Sequence, residues 1–327
     1  MKKFLLFLIP LAFLGSCQNK NGRGNAVGDR DFRLEDHYSL LGVLNTGNNP
    51  DAFMQFPKFT VYDDESIILY GTDKVVRLRL SDGSTIAKYG HNGRGPGEYM
   101  LPFGCFVKDG DVYVVDADSK ALIYSPDGEF KGTLQTGDSS YSMNSMGKLD
   151  DDHFVIGYSS LSGKEQLFDV LGQDMQVVRS SSIRSSKPKR GMRIVPLWEF
   201  NGNLCTSSSD SDTLYRITLK SEKPYFVADP ARIEGLGTDD ASISDILVSG
   251  EYVFVTVKSE TRIFHSVVSL DSGDVLYAAS QGEAEASSDL DYEYNGESIK
   301  VWPIYAGGSI LVAPLPDGES YLVFKVK

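Results

Sequence analysis

The strongest constraint on the fold is a pair of short strand-like segments that recurs along the chain. The first members centre near Ile68, Val114, Ile156, Cys205, Val255 and Leu311, and the second members near Leu78, Ile123, Phe168, Arg216, Ser266 and Val323. Short apolar runs separated by Asp-Gly and Ser-Gly pairs are typical of β-strands, and no segment has the periodicity of a long amphipathic helix. The sequence therefore predicts an all-β chain with six repeated units.

Each unit contains more than its central pair. Segments such as residues 58–64 or 103–110 precede the first strand, and segments such as residues 84–90 or 129–137 follow the second after a turn. Four antiparallel strands are the size of one propeller blade. We therefore predict a six-bladed β-propeller over residues 31–327. Two separate β-sandwich domains are the alternative, although nothing resembling an inter-domain linker divides this region.

The last unit lacks one strand. Residues 297–305, 309–315 and 321–326 supply three strands, whereas a spare strand-like segment, residues 37–44, lies ahead of the first unit. Pairing this segment with the last strand would protect a sheet edge that is otherwise exposed. The sequence thus predicts a ring closed by an N-terminal strand, with residues 297–305 as the innermost strand of the sixth blade.

A glycine-rich stretch, Tyr89–Gly104 (YGHNGRGPGEYMLPFG), lies between the first two units. It is a poor phosphate loop, because Pro96 lacks an N–H, Glu98 places a negative charge where phosphate would lie, and Pro102 disfavours a helix. A structural joint explains the stretch better, since glycines permit positive φ. In such a joint Glu98 can accept backbone N–H groups or pair with Arg94.

This stretch and the segment after it resemble a known repeat. GRGPGEYMLP followed by FGCFVKDGDVYVVDADSKALIYSPDGEFKGTL is similar to the recurring unit of NHL-type and TolB-like six-bladed β-propellers. The matching positions are Gly95, Pro96, Gly97, Glu98, Tyr99, Pro102, Val114, Asp116, Ile123, Tyr124, Asp127 and Gly128. The resemblance, which covers residues 90–135, implies the fold. It implies no catalytic residue, because the motif is structural.

The N-terminus has the features of a bacterial lipoprotein signal. Two lysines precede the apolar run Phe4–Leu14, which is too short for a membrane span. The quartet LGSC, ending at Cys17, resembles a lipobox whose thiol accepts diacylglycerol; a plain secretory signal with a chance cysteine is the alternative. We predict a signal peptide over residues 1–16 and a flexible tether over residues 17–30. The combination with a propeller is similar to lipid-anchored envelope proteins, and we expect the outer membrane, facing the periplasm.

Net charge and cysteine content limit the partners and bonds of this chain. The formal net charge of −13 argues against nucleic-acid binding, because an acidic chain repels phosphate backbones. Cys105 and Cys205 fall in non-adjacent units, so we expect two free, buried thiols although export permits disulfides. We expect a monomer that contacts the membrane through a lipid on Cys17.

Catalytic and metal-binding motifs are scarce. The four histidines are isolated in sequence, no Gly-x-Ser-x-Gly elbow exists, and a Ser-x-x-Lys spacing at Ser186 and Lys189 lacks its partner motifs. Two Asp-x-Asp pairs lie in equivalent loops of units two and four: Asp116 with Asp118, and Asp210 with Asp212. Such oxygens can hold Ca²⁺, but aspartates in turns more often accept backbone N–H groups. We therefore expect no cofactor.

One segment, residues 179–193, is strongly basic, with six cations and no acid. It connects units three and four, and in a propeller such connections lie on the same face as the glycine-rich joint. A basic loop there could recruit an acidic glycan, a lipid head group or an acidic protein; a solvated loop is the alternative. The candidate binding residues of this face are Arg94, Glu98, Asp116, Asp118, Arg184, Lys187, Lys189, Arg190, Asp210 and Asp212.

The sequence thus favours a binding or scaffold module on a rigid propeller, with an envelope protein or a glycan as partner. The alternative is a lyase or hydrolase at the channel mouth, with or without a metal, acting on a glycan or peptide. Converging histidines and carboxylates at that mouth would favour the enzyme. Tyrosine, serine and asparagine side chains without an acid–base pair would favour binding.

Overall fold

The computed structural model describes residues 32–55, 57–117, 119–135, 143–158, 165–184, 196–207, 212–228, 242–259, 262–281 and 289–327. Over these ranges the chain forms six four-stranded antiparallel sheets, and the sheets surround a central channel. This arrangement is a six-bladed β-propeller, so the predicted fold class is confirmed.

The first half of the described chain contains three blades. It begins with α1 (Leu34–His37), a single turn, and β1 (Tyr38–Asn45). Blade one consists of β2 (Lys58–Asp63), β3 (Ser66–Tyr70), β4 (Val75–Arg79) and β5 (Thr85–Lys88). A short parallel bridge follows between β6 (His91–Asn92) and β7 (Glu98–Tyr99). Blade two consists of β8 (Pro102–Lys108), β9 (Asp111–Asp116), β10 (Lys120–Tyr124) and β11 (Phe130–Gln135). Blade three consists of β12 (Met143–Lys148), β13 (His153–Tyr158), β14 (Glu165–Gly172) and β15 (Val177–Arg184).

The second half contains the other three blades. Blade four consists of β16 (Trp198–Phe200), β17 (Asn203–Ser207), β18 (Thr213–Ile217) and β19 (Glu222–Val227). Blade five consists of β20 (Ser242–Ser249), β21 (Tyr252–Lys258), β22 (Ile263–Ser269) and β23 (Val275–Gln281). A separate hairpin of β24 (Leu290–Tyr294) and β25 (Glu297–Val301) precedes β26 (Tyr305–Gly307), β27 (Ile310–Pro314) and β28 (Ser320–Val326).

The sixth blade takes its outer strand from the beginning of the described chain. β1 pairs antiparallel with β28, from Tyr38 opposite Val326 to Asn45 opposite Ser320, which gives the sheet order β26-β27-β28-β1. The spare N-terminal segment therefore pairs with the last strand, where the sequence predicts it. This pairing covers an edge of β28 that would otherwise present unpaired backbone groups.

The innermost strand of blade six differs from the prediction. The sequence predicts one strand over residues 297–305, but β25 pairs with β24 in the hairpin and only β26 lies against β27. Pro303 interrupts the strand because it has no N–H to donate. Trp302 packs inward against Phe254, with ring centroids 5.7 Å apart. The prediction of one continuous strand was therefore wrong.

The residues around α1 attach the N-terminal segment to one face of the disc. Phe32 stacks on His37 and meets Tyr252 edge-on, with centroids 4.8 and 5.1 Å apart. The Tyr38 hydroxyl donates to the Ser249 carbonyl at 2.9 Å. Ser249 and Tyr252 flank the turn between the first two strands of blade five. We name the face formed by these turns the lower face, and the face with the connections between blades the upper face.

The core lies between neighbouring blades. Its largest cluster of buried apolar side chains joins blades four, five and six and includes Phe254, Leu311 and Phe324. Cys105 and Cys205 are buried and form no disulfide, so the prediction of two free thiols is confirmed. Burial raises the pKa of the Cys205 thiol to about 12, which keeps it protonated within the core.

Candidate binding site in the central channel

The glycine-rich stretch Tyr89–Gly104 forms the connection from blade one to blade two on the upper face. Gly90 and Gly97 have φ angles of 64° and 73°. A Cβ atom on Gly90 would lie 2.6 Å from the Gly97 carbonyl oxygen, so the close approach of the two ends of the loop requires glycine. The stretch therefore has the geometry of a tight joint between blades.

The Glu98 carboxylate contacts two other residues of this joint. Its Oε2 accepts the Gly95 N–H at 2.6 Å, and its Oε1 lies 2.9 Å from His91 Nε2. The Gly95 N–H is the main cause that lowers the pKa of Glu98. Arg94 is exposed and forms no ion pair within the described part of the chain. The side-chain partner of Glu98 is therefore His91 rather than Arg94.

Asp116 holds the end of the same joint. The residue is completely buried, and its Oδ1 accepts the N–H groups of Met100, Leu101 and Ala117 at 2.8–2.9 Å. Lys120 Nζ lies 3.5 Å from Oδ2. Three donors on one oxygen favour the turn-bonding role for Asp116 over a role as surface ligand. The contact also places the turn between β9 and β10 on the upper face.

The remaining sequence candidates are only partly within the described residues. Asp212 is exposed, and its carboxylate accepts the hydroxyl of the adjacent Thr213 at 2.8 Å. Arg184 is the last residue of β15. The candidates outside the described residues are Cys17, Asp118, Lys187, Lys189, Arg190 and Asp210. The basic segment of residues 179–193 is only partly a loop, because residues 179–184 belong to β15, so that part of the prediction was wrong. The Ca²⁺ site and binding by the rest of the basic segment stay predictions.

A cavity of about 650 Å³ lies along the central channel. Residues from the innermost strands of all six blades line it, and its volume is typical of small-molecule sites. None of the described loop candidates, namely Arg94, Glu98, Asp116 and Asp212, contributes to its wall. The channel is therefore a site distinct from the upper-face loops. The predicted propeller fold implies such a channel, but no sequence motif pointed to its lining residues.

The wall is rich in tyrosine where blades one, two and six meet. Tyr305 on β26 accepts the Val61 N–H of β2 at 3.1 Å. Thr60 Oγ1 donates to the Cys105 carbonyl of β8 at 2.8 Å. These bonds satisfy edge groups of inner strands that have no further strand beside them. Burial raises the pKa of both Tyr305 and Tyr70 far above the usual range, so both phenols are neutral at physiological pH.

Further polar and aromatic side chains complete this wall. They are Tyr62, Phe103, Asn144, Ser145 and Trp198. No histidine is present among the described residues that line the cavity. Tyrosine, serine and asparagine are the side chains expected of a binding site, for which the sequence criterion is the absence of a converging acid–base pair.

The described wall also contains four charged side chains, Lys58, Lys148, Glu199 and Asp245. Lys148 binds Asp151, in the lower-face turn of blade three, at 2.8 Å. Lys58 Nζ lies 3.4 Å from the Phe103 carbonyl oxygen and 6.0 Å from the centre of the Tyr70 ring. The Lys58 side chain is exposed at the channel wall. The protein around it still removes part of its hydration, and this desolvation lowers the pKa of Lys58.

Asp245 is positioned by a β-bulge near the start of β20. The register of β20 with β21 shifts between Ile243 and Asp245, and a bulge redirects the side chains that follow it. Blades two and three have bulges at the same point of their inner strands, where Gly104 and Ser145 take the equivalent position. All three residues line the cavity. Burial raises the pKa of Asp245 to about 6.

A polar row extends from Asp245 across blade five. Thr256 lies opposite Asp245, and His265 lies opposite Thr256. Trp302 Nε1 donates to Thr256 Oγ1 at 3.0 Å, and the Trp302 ring stacks on His265 with centroids 4.0 Å apart. His265 Nδ1 lies 2.8 Å from Asp289 Oδ1. Because opposed residues share a face of the sheet, this row connects the channel wall with the interior between blades five and six.

The described chain has neither a metal-binding cluster nor a membrane-spanning helix. Its residues contain no cluster of three or more His, Cys, Asp or Glu side chains that could hold a metal ion. Within the same ranges, no helix combines the length and apolar character needed to cross a membrane.

Comparison with known proteins identifies a family and a shared fold. Residues 48–325 match the family described as "Domain of unknown function (DUF4934)". No curated protein in the comparison matches the chain. A "Putative exported protein" from Bacteroides fragilis NCTC 9343 is similar in structure, with a TM-score of 0.62 and 13% identity over 92% of this chain and 98% of that one. At this identity the similarity supports the fold alone.

Two further solved structures are less similar. Raptor from Chaetomium thermophilum has a TM-score of 0.47 and 10% identity over 89% of this chain and 29% of its own. BamB from Moraxella catarrhalis has a TM-score of 0.41 and 12% identity over 82% of this chain and 84% of its own.

Proposed function

The chain belongs to the DUF4934 family, and from that starting point we propose that it is a monomeric binding module of the bacterial cell envelope. Its ligand site is the central channel. The observation that carries this proposal is the cavity of about 650 Å³, whose wall combines tyrosines, an asparagine, a serine and charged side chains. A concave, largely preformed cavity with a few polar groups is the usual form of a small-molecule site.

The construction of the wall supports binding because the inner strands are fixed to one another. Tyr305 bonds to the backbone of β2, and Thr60 bonds to the backbone of β8. A ligand therefore meets a wall that is already ordered, which lowers the entropic penalty of association. The same rigidity suits a scaffold for the loops of the upper face.

The N-terminal sequence supports a lipid anchor, and with it an orientation. We assign the propeller to the NHL and TolB-like type from the motif over residues 90–135, and lipidation to Cys17. The tether of residues 17–30 leads to Phe32 and His37, which pack on the lower face beside Tyr252. The lower face is therefore nearer the membrane in this proposal, and the upper face points away from it.

A tryptophan inside the channel tests the proposal. Gly104 lines the cavity, and a Cβ atom there would make only ordinary contacts with Val115 at 3.6 Å. Gly104→Trp therefore adds bulk at the cavity wall, and its Cβ atom requires no movement of the backbone. Gly132 lies on β11, in the outer strand of the same blade, and a Cβ atom there would have nothing within 4 Å. Gly132→Trp is the matched control outside the channel.

Thermal unfolding of the full-length chain with a panel of oligosaccharides and short peptides provides the measurement. A ligand present at 100 times its Kd stabilises a protein by about 2.7 kcal/mol, which is roughly 5 °C in Tm for a chain of this size. We expect such a shift for wild type and Gly132→Trp, and none for Gly104→Trp. A shift that survives in Gly104→Trp, or no shift in the wild type with any panel member, contradicts the proposal.

A lyase or hydrolase is a second candidate, favoured by one observation. The pKa of Asp245 near 6 suits a general acid or base at neutral pH. If the channel is catalytic, panel members are converted to products, and Asp245→Asn retains ligand binding while product formation stops. Mass spectrometry of the panel after incubation distinguishes the two candidates, because a binding module leaves every member unchanged.

A further inference from the structure

The charged residues of the channel fall into two groups. At the lower end, Asp151 and more weakly Glu199 raise the pKa of Lys148, and Asp151 binds Lys148 directly. Toward the upper end lie Lys58, the first residue of β2, and Asp245, just after the bulge of β20. Neither of these two forms an ion pair within the ranges that the structure describes.

Burial opposes the charge on both upper residues. Desolvation lowers the pKa of Lys58 and raises that of Asp245. Compensation within the protein is partial: the Ile246 N–H and the charge of Lys258 favour the Asp245 carboxylate, and Lys58 donates to the Phe103 carbonyl. Charges that are only partly compensated are unfavourable for folding, and apolar side chains of similar size would fill the same space with a smaller loss of stability. A ligand that carries the opposite charges offsets this penalty when it binds.

The positions of the two residues define how such a ligand would lie. β2 and β20 both contact β26, the inner strand of blade six. Lys58 and Asp245 therefore belong to the two blades that flank blade six, and Tyr305 of β26 lines the cavity between them. Phe103 and Trp198 add apolar surface from blades two and four.

We propose that the channel binds a zwitterion, namely a short peptide with free ends, whose ammonium group lies at Asp245 and whose carboxylate lies at Lys58. The cavity of about 650 Å³ exceeds the needs of a single amino acid, and its aromatic wall accepts side chains. Neutral oligosaccharides would supply no opposite charge to either residue. This assignment rests on the proposed binding function and names the ligand class of the same site.

Equilibrium dialysis of the full-length chain against a library of free tripeptides, with detection by mass spectrometry, tests the assignment. The same library with acetylated N-termini lacks the ammonium group, and the library with amidated C-termini lacks the carboxylate. Because each blocked form loses one charge-assisted contact, we expect the wild type to retain free tripeptides at least tenfold more strongly than either blocked form.

Two variants then assign each end of the ligand. Asp245→Asn should lose the preference over acetylated tripeptides but keep the preference over amidated ones, and Lys58→Met should show the converse. Gly132→Trp changes the outer strand of blade two outside the channel and should keep both preferences. Equal retention of free and blocked tripeptides by the wild type, or both preferences unchanged in both variants, overturns the assignment.

The outcome also distinguishes this assignment from the proposed function. A neutral oligosaccharide that binds wild type and Gly132→Trp but not Gly104→Trp, without retention of tripeptides, overturns the zwitterion and leaves the channel as a binding site. Binding of every ligand unaffected by Gly104→Trp overturns both.

Discussion

Replacing Asp245 with asparagine should stabilise the protein at neutral pH. Burial raises the pKa of this carboxyl from 3.8 to about 6, so the folded chain holds the proton more tightly than the unfolded chain. Between about pH 4 and pH 6 the folded state therefore binds more protons, and its stability falls as the pH rises through this window. Asparagine has nearly the same shape and never ionises, so Asp245→Asn escapes this loss.

The size of the expected stabilisation follows from the shift in the pKa of Asp245. Each pKa unit corresponds to about 1.4 kcal/mol, so a shift of about two units gives about 3 kcal/mol as an upper value, because part of the carboxyl reaches solvent in the channel. Asp245→Asn should thus exceed the wild type by up to about 3 kcal/mol at pH 7 and should equal it near pH 4. A protein that retains a destabilising charge at a buried position is expected to need that charge for its function.

Urea unfolding of the full-length wild type and variant at pH 4, 5, 6 and 7 measures this difference from the midpoints at constant m-value. Glu199→Gln is the matched control, since Glu199 is an exposed carboxylate on the inner strand of blade four, and it should change the free energy of unfolding by less than about 0.5 kcal/mol. The reasoning is refuted if Asp245→Asn is no more stable than wild type at pH 7, or if the difference is the same at pH 4.

Two further predictions concern the joint and the orientation. Asp116→Ala removes three hydrogen bonds from backbone N–H groups to a buried carboxylate and should lower the free energy of unfolding by about 3–5 kcal/mol in urea titrations. Asp212→Ala removes one part-buried hydrogen bond of an exposed aspartate and should lower the free energy of unfolding by less than about 1 kcal/mol. Equal losses would contradict the role assigned to Asp116. Fluorophores on Arg94→Cys and Asp151→Cys report distance from the membrane, because Cys105 and Cys205 are buried. Quenchers in the lipid headgroups of vesicles carrying the anchored protein should act more strongly on the Asp151→Cys label, and equal quenching would contradict a membrane-facing lower face.

The sequence was sufficient to predict the blades because their signals are local. Alternating apolar residues and turn pairs define strands within a few positions, and the motif around Gly97 and Glu98 marks a joint. The innermost strand of blade six could not be predicted in this way. Its boundary depends on Trp302, which turns inward toward Phe254 and His265 from another blade, and no local pattern reports that contact.

The channel site escaped prediction for a related reason. Whether Ser145 or Asp245 faces the channel depends on a bulge, and a shift of one residue reverses which side chains point to each face of a strand. Lys58 and Asp245 line the same cavity only because inner strands from different blades meet around one axis. The sequence contains one indication of this site: Asp245 is an acidic residue directly before the apolar run of residues 246–248. The row of Thr256, His265 and Trp302 has no comparable spacing motif.

A crystal structure of the full-length chain grown with the tripeptide that it retains most strongly would test the channel site directly. We predict density for the peptide inside the cavity, with its amino end at Asp245, its carboxyl end at Lys58 and Tyr305 between them. Density for the peptide on the loops of the upper face, or at the outer strands of the blades, with an empty channel would contradict the account.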